Sequence, residues 1–498
     1  MGLSLPGSPM FPRSSLLLAA AVLAIAPAAA ASQPAPTPAS ASAPAAPVLA
    51  RQDAQALLAV LHAAEAQGFG PDEFALGVPE AQLDAADPTV RATAEARLEG
   101  AAIDYARAQR GQRLSAFPTE WAIRPPRYDA KADFAAALAQ HRVAAWAASL
   151  PPSDARYSAL VQVYARYREI ATLGGWIALA KGPPLKLGAT GDRVTALRRR
   201  LAVEDPAAPA PVEAKAPTPA AAAPPDTYDR GLADAVSRAQ ARYGLTPDGA
   251  VGPATLQAIN VPLETRLGQI RANLERWRWA PRQLPPYRVE LNIAAQTLAL
   301  YDADKPALEM KAIVGKPSKR TPMFQDHIRA IVFNPPWNVP QDIAVKEIWP
   351  KIRRDPGYMA REGFVVKPGG GLQQLPGPKC ALGTIKFDLS NSFGVYLHDT
   401  PAHSLFAGDT RTLSHGCMRL EQPNTLAKRL LQGAPGWNDL RVDGLILLGK
   451  TQRIDLPAPT PVFVFYWTVF ADARGQTNFR RDAYGWDARL LSLLSTRS

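Results

Sequence analysis

Ser414-His-Gly-Cys-Met-Arg-Leu420 follows shortly after Gly394-Val-Tyr-Leu-His398, and between them they bring a thiol, two imidazoles and a glycine close together in the chain. The whole protein has six His and two Cys, so their concentration here is a chemical signal. A thiol with an ordinary pKa near 8.5 is mostly protonated at neutral pH and needs a base or a cation to become a nucleophile. Gly416, lacking a Cβ, lets the N–H groups of residues 415 to 417 converge on one oxygen. His398, at the end of an expected strand, and His415, two residues before Cys417, are both candidate bases. Asp399 follows His398 directly, but strand alternation turns its side chain away, so it is not read as the orienting carboxylate. Pro423 opens a helix expected to run to about Leu431, with Gly433 ending it.

Outward from this stretch the chain is β-rich. Val289-Glu-Leu-Asn-Ile293 and Thr297-Leu-Ala-Leu-Tyr301 read as a hairpin, and Ile328 to Phe333 as a further strand before Asn334-Pro-Pro-Trp337. Residues 341 to 387 hold a helical piece over Ala344 to Lys351 and a Gly/Pro-rich run from Lys367 to Lys379. Inserted just upstream of the site, this segment is expected to be a lid that excludes water. Residues 48 to 183 carry helical periodicity, as in Leu57, Leu58, Val60 and Leu61, and again in Val143, Trp146 and Leu150 before Pro151-Pro152. They read as a scaffold without chemistry of its own.

Two half-motifs flank a Pro/Ala tract at 202 to 226. The first is Leu187-Gly188 with Val194, Leu197 and Leu201. The second is Tyr243-Gly-Leu-Thr-Pro-Asp-Gly-Ala-Val-Gly-Pro-Ala-Thr-Leu256, in which Gly244 reads as a helix C-cap, Asp248-Gly249 as a turn and Pro253 as a helix start. Together they resemble a small three-helix peptidoglycan-binding domain, placed at 184 to 261. A connecting helix with Trp277 and Trp279 follows over 262 to 286.

At the N-terminus, Arg13, the apolar run Leu16 to Ala26 and Ala28 to Ala31 read as a signal peptide over 1 to 31, too short to span a bilayer. Residues 32 to 47 read as a disordered linker. A formal charge of +12 suits a polyanionic neighbour, but no Lys/Arg run is dense enough for a nucleic-acid patch. The expectation is an exported protein with no transmembrane anchor and no nucleic-acid partner.

Val395-Tyr-Leu-His-Asp-Thr400 and Ser414-His-Gly-Cys-Met-Arg-Leu420 resemble the active-site motif of L,D-transpeptidases, which remodel peptidoglycan. Val314-Gly-Lys-Pro-Ser318, Phe333-Asn-Pro-Pro-Trp-Asn-Val-Pro340 and Ala381-Leu-Gly383 extend the similarity. The order of parts resembles the large periplasmic branch of the family in Gram-negative bacteria. The implied fold is multidomain α+β: a helical scaffold, a three-helix wall-binding module, and a β-rich catalytic domain at 287 to 456 with an inserted lid. A C-terminal extension, 457 to 498, would pack on the catalytic and scaffold domains. The resemblance implies that Cys417 attacks the bond between a diamino acid and the terminal D-alanine of a stem peptide. His398 would move the proton, and His415 and Gly416 would line the oxyanion pocket. Arg419, Ser414, Tyr396 and Trp337 would contact substrate. A second stem amine would resolve the thioester into a 3→3 cross-link, and carbapenems would acylate the same sulfur. No cofactor is implied; the implied partners are tetrapeptide donor, diamino-acid acceptor and other wall-synthesis enzymes.

Rival readings keep their place. Water as acceptor makes an L,D-carboxypeptidase, and a lipoprotein lysine makes an attachment enzyme. A zinc site from His398, His403, His415 and Cys417 lacks the short ligand spacings that zinc enzymes use. A non-catalytic wall-binding protein would leave Cys417 without purpose. Cys380, whose role is open, could pair with Cys417 in a disulfide.

Overall fold

The protein is seen here as a computed structural model that describes residues 49–205, 226–472 and 475–495. The signal peptide, the linker and most of the Pro/Ala tract lie outside the described residues. Residues 49 onward form a single unit.

Its N-terminal part consists of helices Arg51–His62, Pro88–Gln109, Ala130–Ala139 and Val143–Ser149. Asp87 and Asp129 cap two of them, accepting the first-turn N–H groups of Thr89 (2.8 Å) and Ala132 (3.0 Å). Leu57, Leu98, Phe134, Trp146 and Leu150 close a core of their own. Helix Ala155–Thr172 does not join it: Tyr157, Leu160 and Tyr164 pack into the large central core instead.

The module expected at 184 to 261 is built from helices Asp192–Glu204, Arg230–Arg242 and Pro253–Ile259. Its two halves pack together although the tract separates them in sequence. Val194, Leu197, Leu201, Leu232, Val236 and Ala239 are all essentially solvent-free, and Leu185 exchanges main-chain bonds with Val251. Gly244 (φ +72°) and Gly249 (φ +69°) take the left-handed backbone expected of a cap and a turn.

Helix Leu263–Trp279 is more than a connector. Arg266, Gln269, Asn273, Glu275, Arg276 and Arg278 are buried along it. Glu275 pairs with Arg278 (3.0 Å) and with Arg113 of the N-terminal part (3.2 Å). Asn273 donates to Thr468, and Arg276 pairs with Asp487 near the C-terminus. Every face is occupied, so amphipathic periodicity is lost.

The main sheet comprises β1 (Arg288–Asn292), β2 (Thr297–Asp302), β3 (Lys305–Gly315), β4 (Phe324–Phe333), β8 (Ile385–Asp388), β9 (Leu397–His398), β10 (Thr412–Ser414), β11 (Met418–Leu420) and β12 (Gln452–Phe465). Their order is β10-β3-β11-β9-β8-β4-β12-β1-β2, and β2 also pairs with β3, so the strip closes on itself. Between β4 and β8, strands β5 (Trp337–Asn338), β6 (Phe364–Val366) and β7 (Leu372–Gln374) make a separate sheet over a small core of Val339, Ala344, Ile348, Phe364 and Leu372. Strands β13 (Val469–Ala471) and β14 (Thr477–Phe479) form a hairpin, followed by helix Trp486–Ser495.

Three boundaries need correction. The extension expected to begin at 457 starts inside β12, whose second half pairs with both β4 and β1 in the middle of the sheet. Pro457, Pro459 and Pro461 hide this strand, because proline is rare inside sheets; here the register shifts between Asp455 and Thr460. The lid expected to end at 387 ends sooner, since β8 belongs to the main sheet. The strand expected at 394 to 397 is only Leu397–His398, because Gly394 (φ +67°) turns the chain before it.

Candidate active site

Strand β10 runs parallel to β3 and β11 antiparallel to it, so the chain must reverse across Ser414 to Cys417. Gly416 makes the reversal at φ +116°. A Cβ there would lie 3.4 Å from the Arg320 carbonyl oxygen and 3.5 Å from Val395. The backbone angle, more than space, therefore demands glycine. Ser414 Oγ donates to the Cys417 carbonyl (2.6 Å) and accepts the Gly416 N–H (3.1 Å). Thr321 Oγ1 donates to the Gly416 carbonyl (2.8 Å) and accepts the Gly315 N–H (2.9 Å). The Tyr484 hydroxyl donates to the Gly315 carbonyl (2.5 Å) and accepts from the Thr321 N–H (3.2 Å). A chain of buried hydrogen bonds thus fixes the cysteine turn from the C-terminal segment inward.

His398 lies on β9, beside β11, with Arg419 as its register partner on that strand. Its Nδ1 meets the main-chain carbonyl of Asp399 at 2.5 Å, which assigns the N–H to Nδ1 and leaves Nε2 as the basic nitrogen. The Asp399 carboxylate turns away and accepts from Thr384 N–H, Thr384 Oγ1 and Thr400 N–H. Strand alternation anticipated that orientation; the orienting role of the carbonyl was not anticipated. Burial holds the His398 imidazole down to about 3, with the Arg419 and Lys386 charges adding to it and the Asp399 carbonyl opposing. Burial also pushes the Cys417 thiol up, against the main-chain N–H and hydroxyl of Tyr396 and the charges of Arg419 and Lys386. Both shifts favour the neutral forms, a thiol at Cys417 and an uncharged imidazole at His398.

Tyr396, Ser414 and Arg419 interact with Cys417. The Tyr396 hydroxyl bonds to Cys417 and to Trp337, and its phenol is raised mainly by burial. Lys386 Nζ lies 4.6 Å from the Tyr396 ring centre. Arg419 has a buried Nε with no partner among the described residues, and burial lowers its guanidinium. The His415 side chain has partners of its own. Its ring bonds to Glu347 (2.6 Å) and contacts Lys316 (3.4 Å), among the described residues, rather than meeting Cys417. In the resting turn the Gly416 N–H is held by Ser414 Oγ (3.1 Å).

Cys380 and Cys417 are both free thiols. Cys380 is buried, its sulfur donating to the Pro335 carbonyl at 3.4 Å. His403 contacts the Asp399 carboxylate (3.6 Å), His398 the Asp399 carbonyl and His415 the Glu347 carboxylate. The inserted segment lies against the loop before β4 through Lys319–Asp342 (2.9 Å) and against the cysteine turn through His415–Glu347. Sequence reading missed Thr321, Glu347 and Lys386. Only Lys386 left a trace, as the polar position between buried Ile385 and Phe387.

Residues 286–464 match the family described as the L,D-transpeptidase catalytic domain, residues 47–163 a "Scaffold domain", and residues 190–259 a "Putative peptidoglycan binding domain". A Haemophilus influenzae protein named "Putative L,D-transpeptidase" is 32% identical over 231 residues, covering 42% of this chain and 47% of that protein. The chain thus spans about half the length of the curated relative it matches. Among solved structures, an L,D-transpeptidase from Xylanimonas cellulosilytica is 16% identical at a TM-score of 0.20, covering 57% of this chain and 99% of that one. One from Mycobacterium smegmatis is 15% identical at 0.20, covering 36% and 58%. The chain carries an L,D-transpeptidase catalytic domain, joined in one polypeptide to a scaffold domain and a peptidoglycan-binding module.

Proposed function

We propose that this protein forms 3→3 cross-links between peptidoglycan stem peptides through a thioester on Cys417, after export to the periplasm. The observation that carries the reading is a thiol, Cys417, on a locked turn at the start of the strand that pairs with the one bearing His398, inside a domain of this family. As the Cys417 sulfur attacks the carbonyl between the diamino acid and D-alanine, its proton passes to His398 Nε2. The C–N bond then breaks, and His398 returns the proton to the departing D-alanine nitrogen. The side-chain amine of a second stem attacks the thioester, the C–S bond breaks, and the amine proton returns to sulfur by way of His398.

Arg419, with its unpartnered Nε, is suited to a substrate carboxylate or the oxyanion, and Tyr396 steadies the thiolate as it forms. Trp337 brings the inserted sheet against Tyr396. The sheet's ties to the turn support exclusion of water, and so favour transfer over hydrolysis. Intact-mass spectrometry after incubation with a carbapenem tests the nucleophile. A single adduct on Cys417, absent from Cys417→Ala, is expected, together with D-alanine release from a tetrapeptide. No adduct, or one on Cys380 alone, contradicts the reading.

A further inference from the structure

His398 stands in the middle of a row that crosses three strands. Its register partner on the antiparallel neighbour β8 is Lys386, and on the parallel neighbour β11 it is Arg419. Residues directly opposite one another across paired strands point to the same face. The residues that alternate with them, Phe387, Leu397, Met418 and Leu420, are buried in the central core. Two cations therefore bracket the imidazole on the face that bears the reacting groups. Tyr396, two residues before His398, shares that face, its ring centre 5.6 Å from the imidazole centre. Lys386 Nζ lies 4.6 Å from the same ring, and the Tyr396 hydroxyl bonds to Cys417.

Lys386 is partly exposed, and its Nζ meets Asp388 at 2.7 Å. Asp388 also takes Arg453, so one carboxylate faces two cations and cancels only part of their charge. The Asp399 carboxylate is turned to Thr384 and Thr400 and contacts His403 at 3.6 Å. Burial is the largest influence on both reacting groups. Beyond it, the Arg419 and Lys386 charges weaken the hold of His398 on a proton and favour the Cys417 thiolate. We propose that Lys386 is a positioning residue that, in one row with Arg419, sets the charge balance of Cys417 and His398. Moving the thiol proton to Nε2 leaves an anion at sulfur and a cation at the ring. The row stabilises the first and opposes the second, so the ring gives the proton up again to a departing nitrogen. That last consequence rests on the proposed function.

The test measures iodoacetamide alkylation against pH in the whole chain, read by mass on the peptide that contains Cys417. Lys386→Met keeps an unbranched side chain over the Tyr396 ring and removes the charge. Its alkylation curve should move to higher pH, and its acylation by a carbapenem at neutral pH should fall roughly tenfold, as loss of one nearby charge implies. Lys386→Arg should restore both. Asp388→Asn, which leaves Lys386 less neutralised, should move the curve to lower pH. A Lys386→Met curve that superimposes on the parent's overturns the proposal, as does Lys386→Arg impaired as much as Lys386→Met, which would mean that shape matters and charge does not. If Lys386→Met fails to fold, an unmoved curve in Asp388→Asn overturns it alone. D-alanine release from a tetrapeptide by the parent reports separately. Release with unmoved curves sinks only the role of Lys386, and moved curves without release support that role and sink only the catalytic reading.

Discussion

Cys417 is held as a thiol by burial, and that has a measurable consequence. Because its pKa is raised, alkylation by iodoacetamide should be slow at neutral pH and should keep rising past the ordinary thiol value of about 8.5. A plateau near pH 7 would mean that the thiolate is already formed. The His398 shift has the opposite direction and bears on stability. With a folded pKa near 3 and an ordinary value of 6.5, only the unfolded chain takes up this proton between those limits. Stability should therefore fall as pH drops through that window, by up to about 1.4 kcal/mol per pH unit from this group. Denaturant midpoints of the parent and His398→Gln should converge on acidification; a constant difference would refute the assignment. Ser414→Ala should cost about 1 kcal/mol and slow acylation, because it releases both the Cys417 carbonyl and the Gly416 N–H. Unchanged acylation by Ser414→Ala would show that the clamp is idle. The motif itself was legible from residue types alone. The division of labour between His398 and His415 was not, because it depends on Glu347, sixty-eight residues away in sequence.

Among the elements, the inserted sheet and β12 are the ones whose roles differ most from their appearance in sequence. The sheet is a small body with its own core, tied to the loop before β4 by Lys319–Asp342 and to the cysteine turn by His415–Glu347, exposed contacts worth at most about 1 kcal/mol each. Asp342→Asn combined with Glu347→Gln should loosen it and raise the ratio of tripeptide monomer to cross-linked dimer among the products. An unchanged ratio would remove the sheet from control of water. Strand β12 was hidden by its prolines, while the β1–β2 hairpin was plain from alternation. A chain ended at 456 should lose soluble expression of the catalytic domain, since the deleted half of β12 pairs with β1 and β4. A folded domain from that truncation would show the strand to be dispensable.

Across the whole molecule, helix Leu263–Trp279 acts as an axle. Its buried Glu275 reaches the N-terminal part through Arg113, and its Asn273 and Arg276 reach the C-terminal segment. From there Tyr484 and Thr321 carry support to the turn that bears Cys417. The stretch around Trp121 adds a second link by exchanging main-chain bonds with Met323. Sequence disclosed the parts and their order but not this coupling, because buried charge on a helix reads as a solvated face until its partners are known. The account's central claim is cysteine-dependent cross-linking, and mass spectrometry of products from residues 32–498 with a disaccharide-tetrapeptide tests it most directly. Dimers that have lost one D-alanine, absent from Cys417→Ala, are the predicted result; tripeptide monomers alone, or dimers that persist without Cys417, would contradict it.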